Sequence, residues 1–218
     1  MQYKVPRIPI FSNLQGIDLR IQQIQVSLSS GISWLQYSFG LCDRVLTQNG
    51  EEVEVMPVCH VDNATDVLDM RPFLDDAHQS YCFWDMGDNA MDYSDNFGAR
   101  AYPVLNYDVA CIFVIHLDNI NSDPKVARSM ARQAILNYFG FTIRFQGKFI
   151  LSDIIERDIE EIFEGYDIAD PLIILRGDVA AFRVNGTITF KQDCNTTVAL
   201  YEDGYIMLDE LGKTLLID

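Results

Sequence analysis

The sequence predicts an α+β fold in a single domain over residues 1–218: a mainly antiparallel sheet, helices packed on one face, and a long irregular acidic arm. Three observations predict it. Apolar residues alternate at strand period over 34–58 and again over 182–190. The run Val109-Ala-Cys-Ile-Phe-Val-Ile115 is too apolar for an exposed face and reads as a central strand. Two helical stripes then follow one another instead of alternating with strands, which favours α+β over a parallel α/β sheet.

Composition limits the function classes. With 49% apolar and 11% aromatic residues, the chain of 218 residues can bury a core without metal or disulfides, unlike a disordered acidic tail. Its formal charge of -16, from 32 acidic and 16 basic side chains, opposes a phosphate-binding surface, because nucleic-acid affinity rests on Lys and Arg. The apolar run at 109–115 falls far short of the roughly 18–20 residues that span a bilayer. The first residues are too broken by Pro6, Arg7 and Pro9 for a signal-peptide core, so the chain reads as soluble and unexported, with no membrane partner. Five widely spaced cysteines (Cys42, Cys59, Cys82, Cys111, Cys194) suit reduced thiols.

Ile17, Ile21, Ile24 and Leu28 form the stripe of an amphipathic N-terminal helix over about 18–28. Its other face holds Arg20, Gln22, Gln23, Gln25 and Ser27, polar and nearly uncharged. Leu35, Tyr37, Phe39 and Leu41 then alternate with polar or small residues, as do Val53 and Val55 with Glu52 and Glu54. Asn49-Gly50 lies between them, so 34–58 is expected to be a long antiparallel hairpin.

Residues 59–103 show no sustained period and are expected to be an inserted acidic loop region. Over 43–95 there are 13 acidic residues against two arginines, a net of -11. Structureless stretches beyond about 12–15 residues inside a domain are usually functional. Asp85, Asp88, Asp92 and Asp95 stand out here as candidate arm acids.

After the central strand, Asp123 is expected to cap a helix that has Pro124 at its first position. Val126, Met130, Ala134 and Tyr138 form its apolar stripe and Gly140 ends it. A second helix is expected over about 153–164, from Asp153 and Glu156 through Ile155, Ile159 and Ile162 to Gly165. The last strand, 182–190, puts Phe182, Val184, Ile188 and Phe190 inward and Arg183 and the threonines outward. Gly186 interrupts its apolar row, as a bulge or a close backbone approach would require.

Chemistry-bearing motifs are sparse. The common dinucleotide, phosphate-loop, serine-nucleophile and zinc-protease signatures are absent from the sequence, so no cofactor, metal or catalytic residue is assigned. Cys59-His60 and His78-x-x-x-Cys82 offer zinc-type ligands at a spacing that matches no known finger or ribbon. The series from Asp85 to Asp95 is oxygen-rich but lacks the alternation of a calcium loop. His116 and Asp118 close the central strand, where catalytic groups often sit. Cys111, in the middle of that strand, reads as inert packing.

The order of short motifs carries a resemblance. These are Leu14-Gln-Gly-Ile-Asp18 with Trp34-Leu35; Val55-Met-Pro-Val58; Asp69-Met-Arg-Pro72 to Phe83-Trp84-Asp85; the strand after Asn106-Tyr107; Phe163-Glu-Gly-Tyr166; and Ala181-Phe-Arg-Val-Asn-Gly-Thr-Ile-Thr-Phe190 with Cys194. Over roughly 12–195 the chain resembles neck or head-tail connector virion proteins of tailed bacteriophages of the crAss-like, Bacteroidetes-infecting type. Proline and tyrosine positions of that family before the last strand are Asp178 and Val179 here.

The resemblance implies a tail-terminator-like fold and a non-enzymatic ring subunit that lines or surrounds the DNA channel. Its partners would be copies of itself in a homo-oligomeric ring and portal or other neck and tail proteins, with assembly in the host cytoplasm. DNA would pass nearby without specific binding. On that reading Asp85, Asp88, Asp92 and Asp95 are candidate channel or arm acids, and Gln22, Gln23 and Gln25 the candidate subunit interface. Two other readings stand beside it: an acidic-loop binding module for a basic partner or cation, and an enzyme using His116 and Asp118.

Overall fold

The computed structural model describes residues 14–49, 52–63, 66–70, 80–94, 104–140, 143–145, 147–167, 177–191, 207–208 and 214–215. Its centre is a six-stranded sheet. The strands are β1 (Tyr37–Leu41), β5 (Ser80–Ser94), β6 (Val104–His116), β9 (Val179–Lys191), β8 (Gly147–Ile155) and β7 (Ile143–Phe145), in that spatial order. Only β1 and β5 run parallel; the other neighbours are antiparallel. A three-stranded sheet joins β2 (Asp43–Asn49), β3 (Glu52–Asn63) and β4 (Asp66–Met70), and β10 (Met207–Leu208) pairs with β11 (Thr214–Leu215). The fold is α+β, as predicted.

Alternation along the central strands gives the sheet two covered faces. Leu105, Val109, Cys111, Phe113 and Ile115 of β6 join Cys82, Trp84, Phe149, Phe182, Val184 and Ile188 on one face. Helix α1 (Gly16–Gly31) covers them with Ile17, Ile21, Ile24 and Leu28, the predicted stripe. Burial of each such side chain is worth about 1.5–3 kcal/mol. Helix α2 (Pro124–Phe139) lies on the same face, its first turn capped by the Asp123 carboxylate, which accepts from the Lys125 and Val126 amides.

The buried row of α2 is Ala127, Ala131, Ile135 and Phe139, one residue on from the predicted stripe. Val126 and Met130 face solvent at 44% and 48% exposure. Small alanines let the helix backbone approach the sheet, and Phe139 fills the space beyond against Trp84, Phe113 and Phe149.

Tyr37, Phe39, Tyr81, Phe83, Ile112, Val114 and Ala181 form a second core on the opposite face. It is covered by the β2–β3 hairpin and by the short helix α3 (Ile159–Ile162), so the two long helices share one face and the four-residue helix does not.

Three local expectations are corrected. First, β1 belongs to the main sheet; the hairpin proper is β2 and β3, paired from Asp43↔Val58 out to Asn49↔Glu52. Second, much of the supposedly irregular 59–103 stretch is strand, since it holds the end of β3, β4 and all of β5. Tyr81 and Phe83 fill one face and Cys82 and Trp84 the other, so burial on both sides erased the period of two. Residues 71–79 and 95–103 lie outside the described residues.

Third, the expected helix over 153–164 is reduced to α3 at Ile159–Ile162, and its first residues, Asp153–Ile155, are the end of β8. The free edge of β9 needs a ladder partner, and Ile150, Ile154 and Ile155 suit a strand. Gly186 answers to its expectation. Its partner strand shifts register between Leu151 and Asp153, and a methyl added at Gly186 would sit against the Phe149 ring and 2.6 Å from the Ile150 carbonyl oxygen.

Candidate functional site

A buried ionic cluster joins the β2–β3 hairpin to the sheet. Asp85 of β5 is 1% exposed. Its neighbour in the row on β6 is Ala110, whose small side chain leaves room above the sheet for larger groups. Arg44 of β2 reaches in with a fork: Nε donates to Oδ1 at 3.2 Å and Nη2 to Oδ2 at 3.0 Å. Tyr166 donates its hydroxyl to Oδ1 at 2.7 Å, and Arg183 of β9 donates Nη2 to Oδ2 at 3.4 Å. Four donors thus converge on one carboxylate.

The surrounding backbone is shaped to permit this. Gly165 has φ +85°, and a Cβ there would lie 2.6 Å from Arg44 Nη1, so the glycine serves both the turn after α3 and the approach of the guanidinium. The Arg44 guanidinium also lies 5.5 Å from the Tyr166 ring centroid. Arg183 is satisfied further by Asn185 Oδ1 at 2.9 Å and the Ile162 carbonyl at 3.2 Å, with exposed Glu164 3.9 Å away.

Two more tethers hold the hairpin. The Val55 amide donates to Asp167 Oδ2 and the Asp167 amide to the Val55 carbonyl, both at 2.9 Å. Cys42 and Cys59 face each other across the hairpin base at a Cα separation of 4.4 Å and are paired as a disulfide, which corrects the expectation of reduced thiols at these two positions. Cys82 and Cys111 are free and buried.

Electrostatics make the cluster a clamp. The hydrogen bond to Asp85 holds the Arg44 proton more tightly than usual. Burial first, and then the neighbouring Asp85 charge, push the Tyr166 hydroxyl well above the ordinary tyrosine range, so it remains a donor. A carboxylate enclosed by fixed donors positions the elements that carry them. Beyond the clamp the hairpin runs out to residues that stay exposed: Val45 at 38%, Leu46 at 72% and Val53 at 60%.

The predicted site residues divide. Asp85 is no channel acid; it is buried and neutralised by two arginines. Asp88 and Asp92 lie on β5 with side chains outside the description, and Asp95 lies outside the described residues. Gln25 is buried and points inward, donating Nε2 to the Ser38 carbonyl at 3.0 Å, so it does not belong to an open interface. Gln22 and Gln23 are half-buried, and Arg20 on the same helix is buried, with its guanidinium 5.1 Å from the Phe190 ring centroid. The glutamine-rich face is therefore narrower than its sequence suggests.

His116 ends β6 half-buried, and its amide donates to Ser80 Oγ at 3.1 Å. Asp118 is exposed in the 3₁₀ turn Leu117–Asn119. Among the described residues no group of three or more His, Cys, Asp or Glu side chains is arranged to hold a metal ion. Of the zinc candidates, Cys59 is in the disulfide, Cys82 is buried, and the His60 side chain and His78 lie outside the description. Burial pushes the Cys111 thiol up, which suits inert packing. No helix among the described residues is long and apolar enough to cross a membrane.

Sequence reading missed Arg44, Tyr166 and Arg183. Arg183, which strand alternation places outward, is 7% exposed. The available signal was an arginine amid a strongly apolar strand in an acidic chain. Comparison of the chain with protein-family models, curated proteins and solved structures found no match.

Proposed function

We propose that this chain is a structural virion protein, the subunit of a ring at the neck or head-tail junction of a tailed bacteriophage that lines or surrounds the DNA channel. The observation that carries the reading is the ordered series of motifs from Leu14 to Cys194 that resembles such connector proteins. The hairpin supports it: an element held by a buried ion cluster, a disulfide and a backbone pair, yet ending in exposed apolar side chains, has the build of an assembly contact.

Charge supports it as well. A subunit of -16 repeated around a ring gives a lumen that repels DNA, screened over about 8 Å at physiological ionic strength, and DNA slides past a wall that does not hold phosphate. In a phage encoding this chain, antibody labelling is expected to mark the neck. Removing the gene is expected to leave heads that do not join tails. Infectious particles that assemble normally without the chain would overturn the proposal.

A further inference from the structure

The Cys42–Cys59 disulfide sits where the hairpin meets both the main sheet and the β3–β4 ladder. Cys42 precedes Asp43, whose partner is Val58, so it lies opposite Cys59 across the hairpin base at a Cα separation of 4.4 Å. Directly opposed residues whose backbones do not bond each other stand about 4.5 Å apart. The Cys42 amide accordingly donates elsewhere, to the Trp84 carbonyl of β5 at 2.8 Å. Strand β3 changes partner at the same point, pairing with β2 from Glu52 to Val58 and with β4 from Cys59 to Asn63. One covalent bond therefore ties the main sheet, through Cys42, to the residue at which β3 leaves the hairpin.

The two hairpin strands are otherwise held unequally. Strand β2 has the Cys42 amide and the Arg44 fork on Asp85. Besides its ladder with β2, β3 has the reciprocal bonds of Val55 with Asp167. The disulfide is also closed off from solvent, with Cys42 5% and Cys59 1% exposed. Cys82 and Cys111 are buried on the opposite face of the main sheet, so among the described residues no other thiol is placed to attack it. Exchange needs an external thiol or disulfide and an opening of the hairpin base.

We propose that Cys42 and Cys59 form a redox latch. Reduced, they leave β3 to its hydrogen bonds and the hairpin base opens readily; oxidised, they fix β3 to the main sheet, and the bond resists reduction while the fold stays closed. The closing step is an exchange with a low-molecular-weight disulfide such as oxidised glutathione. One cysteine thiolate attacks it, forming a mixed disulfide and releasing one small thiol, and the second cysteine thiolate then displaces the other. Two electrons pass from the cysteine sulfurs to the external disulfide, and the two cysteine protons end on the released thiols. The latch goes beyond the ring reading and does not depend on it. A chain made where thiols are kept reduced and carried out in a particle meets both conditions in turn.

Hydrogen exchange read by mass spectrometry on the full chain tests it. One sample is equilibrated with oxidised glutathione and another with dithiothreitol, and alkylation checks the state of each thiol. The oxidised sample should yield a linked Cys42–Cys59 peptide, and its β2–β3 amides should exchange at least about tenfold more slowly than in the reduced sample. Exchange in the β6–β9 ladder should be the same in both. The double variant Cys42→Ser with Cys59→Ser should match the reduced wild type and ignore dithiothreitol; the wild-type comparison decides alone if that variant does not fold. Dithiothreitol should reduce the folded protein at least about tenfold more slowly than the urea-unfolded chain. Asp167→Ala, which removes one of the two bonds to Val55, should narrow that gap.

Recovery of both thiols unlinked after oxidation would overturn the latch. So would hairpin exchange that ignores redox state, or a speeding on reduction shared equally by the β6–β9 ladder, which marks a general staple instead. Equal rates of reduction in the folded and unfolded protein would overturn the protection of the closed bond. None of these outcomes bears on the ring reading, which the particle experiment decides separately.

Discussion

Arg44 and Asp85, 41 residues apart in sequence, meet as a two-bond fork at 3.2 and 3.0 Å beneath the hairpin. The pair fixes where β2 sits on the sheet, and Tyr166 and Arg183 complete the enclosure of the carboxylate. Removing the acid leaves two guanidinium groups without their shared partner, one of them almost wholly buried. Asp85→Ala is therefore expected to cost about 3–5 kcal/mol in urea unfolding. A loss below 1 kcal/mol, by the same measurement, would mean the cluster is not holding the hairpin.

Gly165→Ala acts on the same clamp from the backbone side. The residue at φ +85° would carry a Cβ into the Arg44 guanidinium, so strain and displacement of the arginine add. Stability should fall by about 1–3 kcal/mol. Amide exchange at Val55 and Asp167, which bond to each other, should quicken more than exchange in the β6–β9 ladder.

The rotation of α2 by one residue from its sequence stripe can be read from two substitutions. Ala131→Leu forces three extra carbons against a closed core and should destabilise by about 1–3 kcal/mol. Met130→Ala, at an exposed position, should change stability by no more than about 0.5 kcal/mol. The reverse order in thermal unfolding would restore the sequence stripe.

Alkaline pH should unfold the protein through its buried phenols. Burial is the main cause that raises Tyr138 from 10.0 to about 12, and Tyr166 is raised further for the same first reason. In this window the unfolded chain loses protons that the folded chain keeps, so stability is whole below pH 10 and declines as pH rises from 10 through about 12. Tyr138→Phe should flatten the first part of that decline, measured by denaturant titrations at successive pH values.

Legibility in the sequence followed the number of faces each element buries. Helix α1 has one buried stripe, and Ile17, Ile21, Ile24 and Leu28 announced it. Asp123 and Pro124 marked the start of α2 because a cap is local chemistry. Its buried row was misread because alanines contact the sheet, while larger Val126 and Met130 drew attention to the wrong face. The first half of β5 shows no period of two in the sequence because Tyr81 and Phe83 are buried on one face and Cys82 and Trp84 on the other. The Asp85 cluster gathers residues from β2, β5, β9 and the turn after α3, and no local spacing in the chain records that meeting. Asp85 looked like one more surface acid in an acidic stretch; its partners decided otherwise.

The central claim is that copies of this chain assemble head to tail. Light scattering on the purified full chain across a concentration series tests it most directly. The account predicts a closed species of several times 24.9 kDa that grows with concentration. A constant mass of 24.9 kDa at every concentration and salt would contradict it.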